Sequence, residues 1–232
     1  VKTDFRVPFA FILMLSALSA GYAQQPRLSN AQLTVRKAAG GLEVELRAVV
    51  VGQTAPAWIG YAVPMIPGDH NMCCNGKSGL NCCGVCRLEG RGSENVSSGD
   101  SRRVPLESGK SLFVLFRVEK GQVQKIRAFT EECELDAGGL PFTWLTDVRP
   151  ADSTTLLASM VRVSETEDKA ANRLAESALA ALAFHDDTSA DRVFEELSAA
   201  GQPDSIRERT SFWLGAARGR KGYEILRRMM NE

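Results

Sequence analysis

The sequence predicts an α+β protein, a β-rich N-terminal domain followed by an α-helical segment built of repeats. Three observations predict it. Between Leu28 and about Val148 the apolar residues come in short, mostly alternating runs, the period of half-buried strands. After Pro150 the alternation stops and apolar residues recur at helical spacing. The final part of the chain matches itself at a shift of 32 residues.

Composition bounds the partners. The chain has 232 residues with 28 Lys+Arg and 28 Asp+Glu, so its formal charge is zero and it lacks a global basic field to gather nucleic acid or anionic lipid. Apolar residues at 44% and charged residues at 24% are ordinary for a soluble globular protein.

Residues 1–23, VKTDFRVPFAFILMLSALSAGYA, have the layout of a secretory signal peptide. Lys2 and Arg6 make the start positive, Val7 to Leu18 is almost wholly apolar, and Gly21-Tyr22-Ala23 fits a small-x-small cleavage site. The apolar core is short for a bilayer span and no basic stop-transfer cluster comes after it. The expected location is periplasmic or secreted, with cleavage near Ala23 and no membrane span afterwards.

Residues 24–150 are expected to form a cysteine-containing β-rich domain. Leu42 to Val49 alternates and comes directly after the turn signal Gly40-Gly41, so it is expected as a strand, paired with Ala31 to Lys37. Ala57 to Met65 is a third strand, with Pro64 marking its end. Leu112 to Val118, the turn Glu119 to Gln122 and the return Val123 to Phe129 predict a hairpin. Ser93 to Arg103, polar and Gly/Ser-rich, is expected as a surface loop, and Asp136 to Pro141 as a second loop. Residues 151–165 are expected as a short helix and linker, the helix being Ser153 to Val163 with Ser153 as its N-cap.

From residue 166 onward no strand signal remains. Laying Ala175–Ala200 over Arg207–Glu232 aligns Glu176 with Glu208, Leu182 with Leu214, Val193 with Ile225, Phe194 with Leu226 and Leu197 with Met229. Both halves share a break, at Asp186-Asp187 and at Arg218-Gly219, so each unit reads helix, turn, helix. Asp187 or Thr188 can cap one second helix, and Gly201-Gln202-Pro203-Asp204 separates the units.

On Arg207-Glu208-Arg209-x-x-Phe212-Trp213-Leu214-Gly215 and Gly222-Tyr223-Glu224-Ile225-Leu226 the chain resembles the HEAT-repeat family, in the bacterial form seen in phycobilisome-lyase-like repeats. The first unit departs from that pattern, with Ala183 where the second has Gly215. The resemblance implies an α-solenoid over 166–232 that offers an extended surface to a protein or peptide. No catalytic residue carries over from the lyases. The whole layout resembles exported bacterial HEAT-repeat proteins with a β-rich leader, on Trp58-Ile59-Gly60-Tyr61, Met72-Cys73-Cys74, Cys86-Arg87-Leu88-Glu89-Gly90 and Asp136 to Phe142. Such units bury their faces only against neighbours, so about three or more are needed for stability. With two visible, either the preceding helix and β-domain cap them, or the chain is a piece of a longer array; the second is the expectation.

The cysteines leave three readings open. Cys73, Cys74, Cys82, Cys83 and Cys86 are clustered and Cys133 stands apart. An even count in an oxidising compartment makes structural disulfides the default, including one from the cluster to Cys133. His70, Cys73, Cys83 and Cys86 alternatively offer zinc-like spacing, which would make the chain a metal-binding protein or an enzyme using that cluster. Cys83-Gly84-Val85-Cys86 is also a CxxC, but Arg87-Leu88-Glu89-Gly90 beyond it is a poor helix start for lowering a thiol pKa.

Other motifs carry bland readings. His185-Asp186-Asp187 is expected to be an interhelical turn. Asp187-x-Ser189-x-Asp191 fails as a calcium loop, with Arg192 where glycine is needed. No nucleophile elbow, dinucleotide fingerprint or P-loop occurs. Trp58, Trp144 and Trp213 are expected in the core. Arg207, Arg209, Arg218, Arg220, Lys221, Arg227 and Arg228 concentrate positive charge near the C-terminus; Arg207, Arg209, Arg220, Lys221, Arg227 and Arg228 are the candidate face for an acidic partner, against the alternative of a solvated helix face. The expectation is a non-catalytic scaffold or protein-binding module without a cofactor.

Overall fold

A computed structural model describes residues 25–68, 85–89, 109–162 and 168–231. In chain order the elements are β1 (Leu28–Ser29), β2 (Gln32–Lys37), α1 (Leu42–Gly52), β3 (Ala57–Pro64), β4 (Val85–Arg87), β5 (Ser111–Glu119), β6 (Gln122–Thr130), β7 (Glu134–Asp136), β8 (Pro141–Thr146), α2 (Pro150–Arg162), α3 (Lys169–Ala183), α4 (Thr188–Ser198), α5 (Asp204–Ala217) and α6 (Gly219–Met229). The fold is α+β, as expected from the change of period.

One sheet runs in the order β2-β8-β3-β5-β6. The strands β2, β8 and β3 are parallel, and β3, β5 and β6 are antiparallel. Parallel strands cannot be joined by a tight turn, so the chain needs a crossover between β2 and β3. That crossover is α1, which corrects the expected strand at Leu42–Val49. Leu42, Leu46 and Val50 are buried one turn apart, while Val44 is exposed. Glu43 and Arg47 pair at 2.8 Å across one helical turn. The partner of β2 is accordingly β8, from Gln32↔Pro141 to Lys37↔Thr146. Gly41 admits the helix at φ +92, where only glycine is unstrained.

The β5–β6 hairpin forms where expected. Lys120 and Gly121 both take positive φ, the primed-turn geometry that matches strand twist. Leu112 to Phe116 are fully buried on both faces because β5 is sandwiched. Val114 and Phe116 face the helices. Phe113 and Leu115 face a second cluster with Trp58, Trp144, Leu88 and Leu135. A small parallel sheet, β1-β7-β4, closes that second side.

Helix α2 starts at Pro150, whose missing N–H suits the first helical position. Ser153 is therefore inside the helix and buried, rather than its N-cap. Helix α3 packs along α2 and across β6; α5 packs on α3, while α4 packs on α2 and α5, and α6 on α5 and α4. The helices thus lie in two layers, α3 with α5 and α2 with α4 and α6. The 32-residue shift sets four buried positions on buried ones, Ala178 and Thr210, Leu182 and Leu214, Ala190 and Gly222, Val193 and Ile225, while buried Phe194 and Leu197 fall on half-buried Leu226 and Met229. Asp187 caps α4 by accepting from the Ser189 N–H at 2.7 Å. The helical part and the sheet share one apolar core, from Leu42 through Phe116 to Ile225. No helix among the described residues is long and apolar enough to cross a membrane.

Candidate functional site: a groove at the sheet edge and a buried polar chain

The expected signal peptide, His70, Cys73, Cys74, Cys82 and Cys83 lie outside the described residues, as does the Ser93–Arg103 loop. Cys86 is in β4, where its backbone pairs with Leu135 of β7. Cys133 lies two residues before Leu135 and is buried, with its Sγ 3.9 Å from Thr130 Oγ1. The topology therefore carries one member of the cluster and the distant Cys133 to adjoining segments of the small sheet. Among the described residues no group of three or more potential metal ligands occurs.

The basic residues near the C-terminus largely engage acids within the helical part. Lys221 pairs with Asp191 at 2.6 Å and Arg228 with Glu195 at 2.5 Å, both from α6 to α4. Arg220 pairs with Glu224 at 3.2 Å, one turn along the same helix. Arg207 donates to the Ser198 carbonyl at 3.3 Å. Arg209 is half-buried and Arg227 exposed. Arg218 is buried and ion-paired to Asp191. The stripe thus stitches neighbouring helices together, which leaves less free charge for a partner than its composition implies.

A polar chain that the sequence did not reveal runs through the core. The His185 Nδ1 lies 2.8 Å from the Ala181 carbonyl, which can only accept, so Nδ1 carries the proton. Nε2 then accepts from the Ser153 hydroxyl at 2.7 Å, and the Ser153 oxygen accepts from the Tyr61 hydroxyl at 2.7 Å. Strand β3, helix α2 and the α3–α4 turn are joined by these bonds. Backbone contacts reinforce the junction: Ile66 N–H donates to the Phe184 carbonyl and Asp186 N–H to the Pro64 carbonyl, each at 3.0 Å.

A serine hydroxyl on a histidine nitrogen is also the start of a nucleophile–base pair. Here the imidazole is oriented by a backbone carbonyl, and Tyr61, Ser153 and His185 are all fully buried. None of the three is among the residues that line a groove between β6 and α3 or another between α4 and α6. Burial foremost, with Arg218 adding to it, holds the His185 pKa down to about 4, against the pull of the Ala181 bond and Asp187. Burial likewise raises the Tyr61 pKa.

This shift fixes a pH dependence. The unfolded histidine binds a proton near pH 6.5 and the folded one only near pH 4, so acid favours the unfolded chain. The stabilisation is complete above pH 6.5 and is lost as pH falls towards 4, amounting to about 3 kcal/mol at one pKa unit per ~1.4 kcal/mol. Urea unfolding at pH 7 and pH 4 should show that excess loss in the wild type relative to His185→Gln, which cannot titrate. Equal losses would show that His185 is not the sensitive group.

The larger groove, of about 590 Å³, lies where the sheet ends against the helices, and the smaller, of about 390 Å³, lies between α4 and α6. One wall of the larger groove is the run 124–129 of β6. Opposite it stand Arg173, Ser177, Ala180 and Phe184 on the α3 side, at helical spacing, with Trp213 of α5 edge-on to Phe184 at 6.0 Å between ring centres. The groove is polar along the strand and apolar at the aromatic end, the mixed lining of a ligand-binding pocket. Comparison with protein families, curated proteins and solved structures finds no match to this chain.

Proposed function

We propose that this chain is an exported bacterial protein of HEAT-repeat type, a non-catalytic scaffold that binds a protein or peptide on its helical part. The observation that carries the reading is the shared register of the two helical units. A shift of 32 residues carries helix onto helix and turn onto turn, and sets buried Ala178, Leu182, Ala190 and Val193 on buried Thr210, Leu214, Gly222 and Ile225. Like helices then pack on like, α3 on α5 and α4 on α6, which is how repeats bury faces that one unit alone leaves open. Helix α2 and the sheet cover the first unit, in the role of a cap. An oxidising destination fits a disulfide between the cysteine cluster and Cys133, since β4 and β7 pair beside each other.

Duplication of one unit tests the stacking. A second copy of residues 200–231, joined after residue 231, is expected to add helical signal in proportion to its length and to unfold together with the rest. The same protein should cross-link one saturable partner in periplasmic extract. An appended unit that stays unfolded, or cross-linking that never saturates, would overturn the reading.

A further inference from the structure

We infer that the groove beside β6 takes an extended peptide bearing carboxylates, laid along the strand's outer edge as a sixth strand of the sheet. The inference rests on the binding reading above and names the partner's chemistry. Successive residues of a strand point to opposite faces, so a cavity over one face touches every second residue. This groove is lined by all six residues from Gln124 to Phe129, so side chains of both directions border it, as at a strand's edge. Strand β6 is the last in the sheet and pairs, among the described residues, with β5 alone. Every second residue of such a strand directs its N–H and C=O outward, which is the template for strand addition.

The two sides of the edge differ. Ile126 packs into the helix-side core and Phe129 into the opposite cluster. By alternation Ala128 shares the side of Ile126, while Lys125 and Arg127 share that of Phe129. An added strand would carry side chains with the same two-residue repeat. Its apolar residues would meet Leu174, Phe184 and Trp213 on the helix side. Its alternate residues would run beside Lys125 and Arg127.

Charge selects carboxylates on the peptide. Among the described residues the groove is lined by the cations Lys125 and Arg127 of β6 and, on the helix side, Arg173 of α3, with Glu176 of α3 the acid that lines it. Arg127 donates to the Arg87 carbonyl at 3.2 Å and stands over the Phe129 ring, contacts that hold its guanidinium beside the strand. The Lys125 ammonium is held below its usual pKa by burial first, then by Arg127 and Arg117, despite Glu89. An arriving carboxylate relieves that repulsion.

The test uses the full chain and a labelled peptide of about nine residues alternating valine and glutamate, a length near that of β6. Fluorescence anisotropy should show saturable binding, and the lysine-for-glutamate peptide should bind at least about tenfold more weakly. The double variant Lys125→Glu/Arg173→Glu should reverse that preference, with far-UV circular dichroism confirming its fold. Amide exchange over residues 124–129 should slow on binding. Equal affinity for both peptides, no saturable binding, or protection that leaves 124–129 unchanged would overturn the inference. A unit duplication and partner cross-link that succeed while the peptide fails would remove the groove assignment and leave the scaffold reading standing.

Discussion

Arg218→Ala should lower the unfolding free energy by about 3–5 kcal/mol, the range for removing one member of a buried charge pair. The Arg218 side chain is 4% exposed and lies at the α5–α6 break. It donates to the His185 carbonyl at 2.6 Å and the Ala183 carbonyl at 3.3 Å, pairs with Asp191, and sits 5.7 Å from the centre of the Phe194 ring. The Ala183 carbonyl is at the end of α3, where a helix leaves its last oxygens without internal partners, and the His185 carbonyl is in the turn just beyond it. Truncation orphans them and leaves Asp191 to Lys221, whose side chain is 63% exposed. Arg218→Lys should recover only part of the loss, since an ammonium lacks the planar fork that reaches several acceptors. Urea unfolding measures both variants. A loss under about 1 kcal/mol for the alanine variant would show that Arg218 does not bind the units together.

Arg218 also shows where the sequence stops being informative. In the sequence it is one of seven basic residues near the C-terminus, and nothing local distinguishes it from Arg220 or Arg227. Its burial comes from which turns the stacking brings together. The same holds for His185, whose turn is legible while its bond to Ser153 depends on α2 lying beside it. The β5–β6 hairpin was legible because both strands and their turn lie within about twenty residues, the range over which period and turn chemistry act. Helix α1 was misread because Leu42 and Leu46 satisfy both periods. The crossover that decides for helix is demanded by β8, which lies about a hundred residues later and enters between β2 and β3. The groove was invisible for a related reason: no local pattern says that β6 ends the sheet, and only strand order makes it an edge. The two helical units were legible because capping aspartate, glycine and proline mark their breaks in the chain itself.

A pair of glycines on α5 and α6 should respond to the same substitution with opposite signs. A Cβ at Gly222 would lie 2.0 Å from the Leu214 carbonyl oxygen and 2.8 Å from its carbon, and both are backbone atoms that cannot rotate away. Gly222→Ala must therefore push α6 off α5, which loosens Leu214 and Ile225, buried at that contact. The expected loss is about 3 kcal/mol, the upper end for overpacking. Gly215 presents the control on the facing helix. A Cβ there would meet only Leu226 Cδ1, at 3.8 Å, an ordinary contact. Gly215→Ala should gain about 0.5–1 kcal/mol from reduced backbone freedom in the unfolded chain. The first unit supports the distinction. It has Ala190 at the position equivalent to Gly222, and there α3 packs chiefly on α2 rather than on α4, so a methyl group is accommodated. Thermal or urea unfolding of the two single variants decides it. If both glycine variants shifted stability in the same direction, the close crossing of α5 and α6, and with it the geometry on which the second unit is stacked, would be wrong.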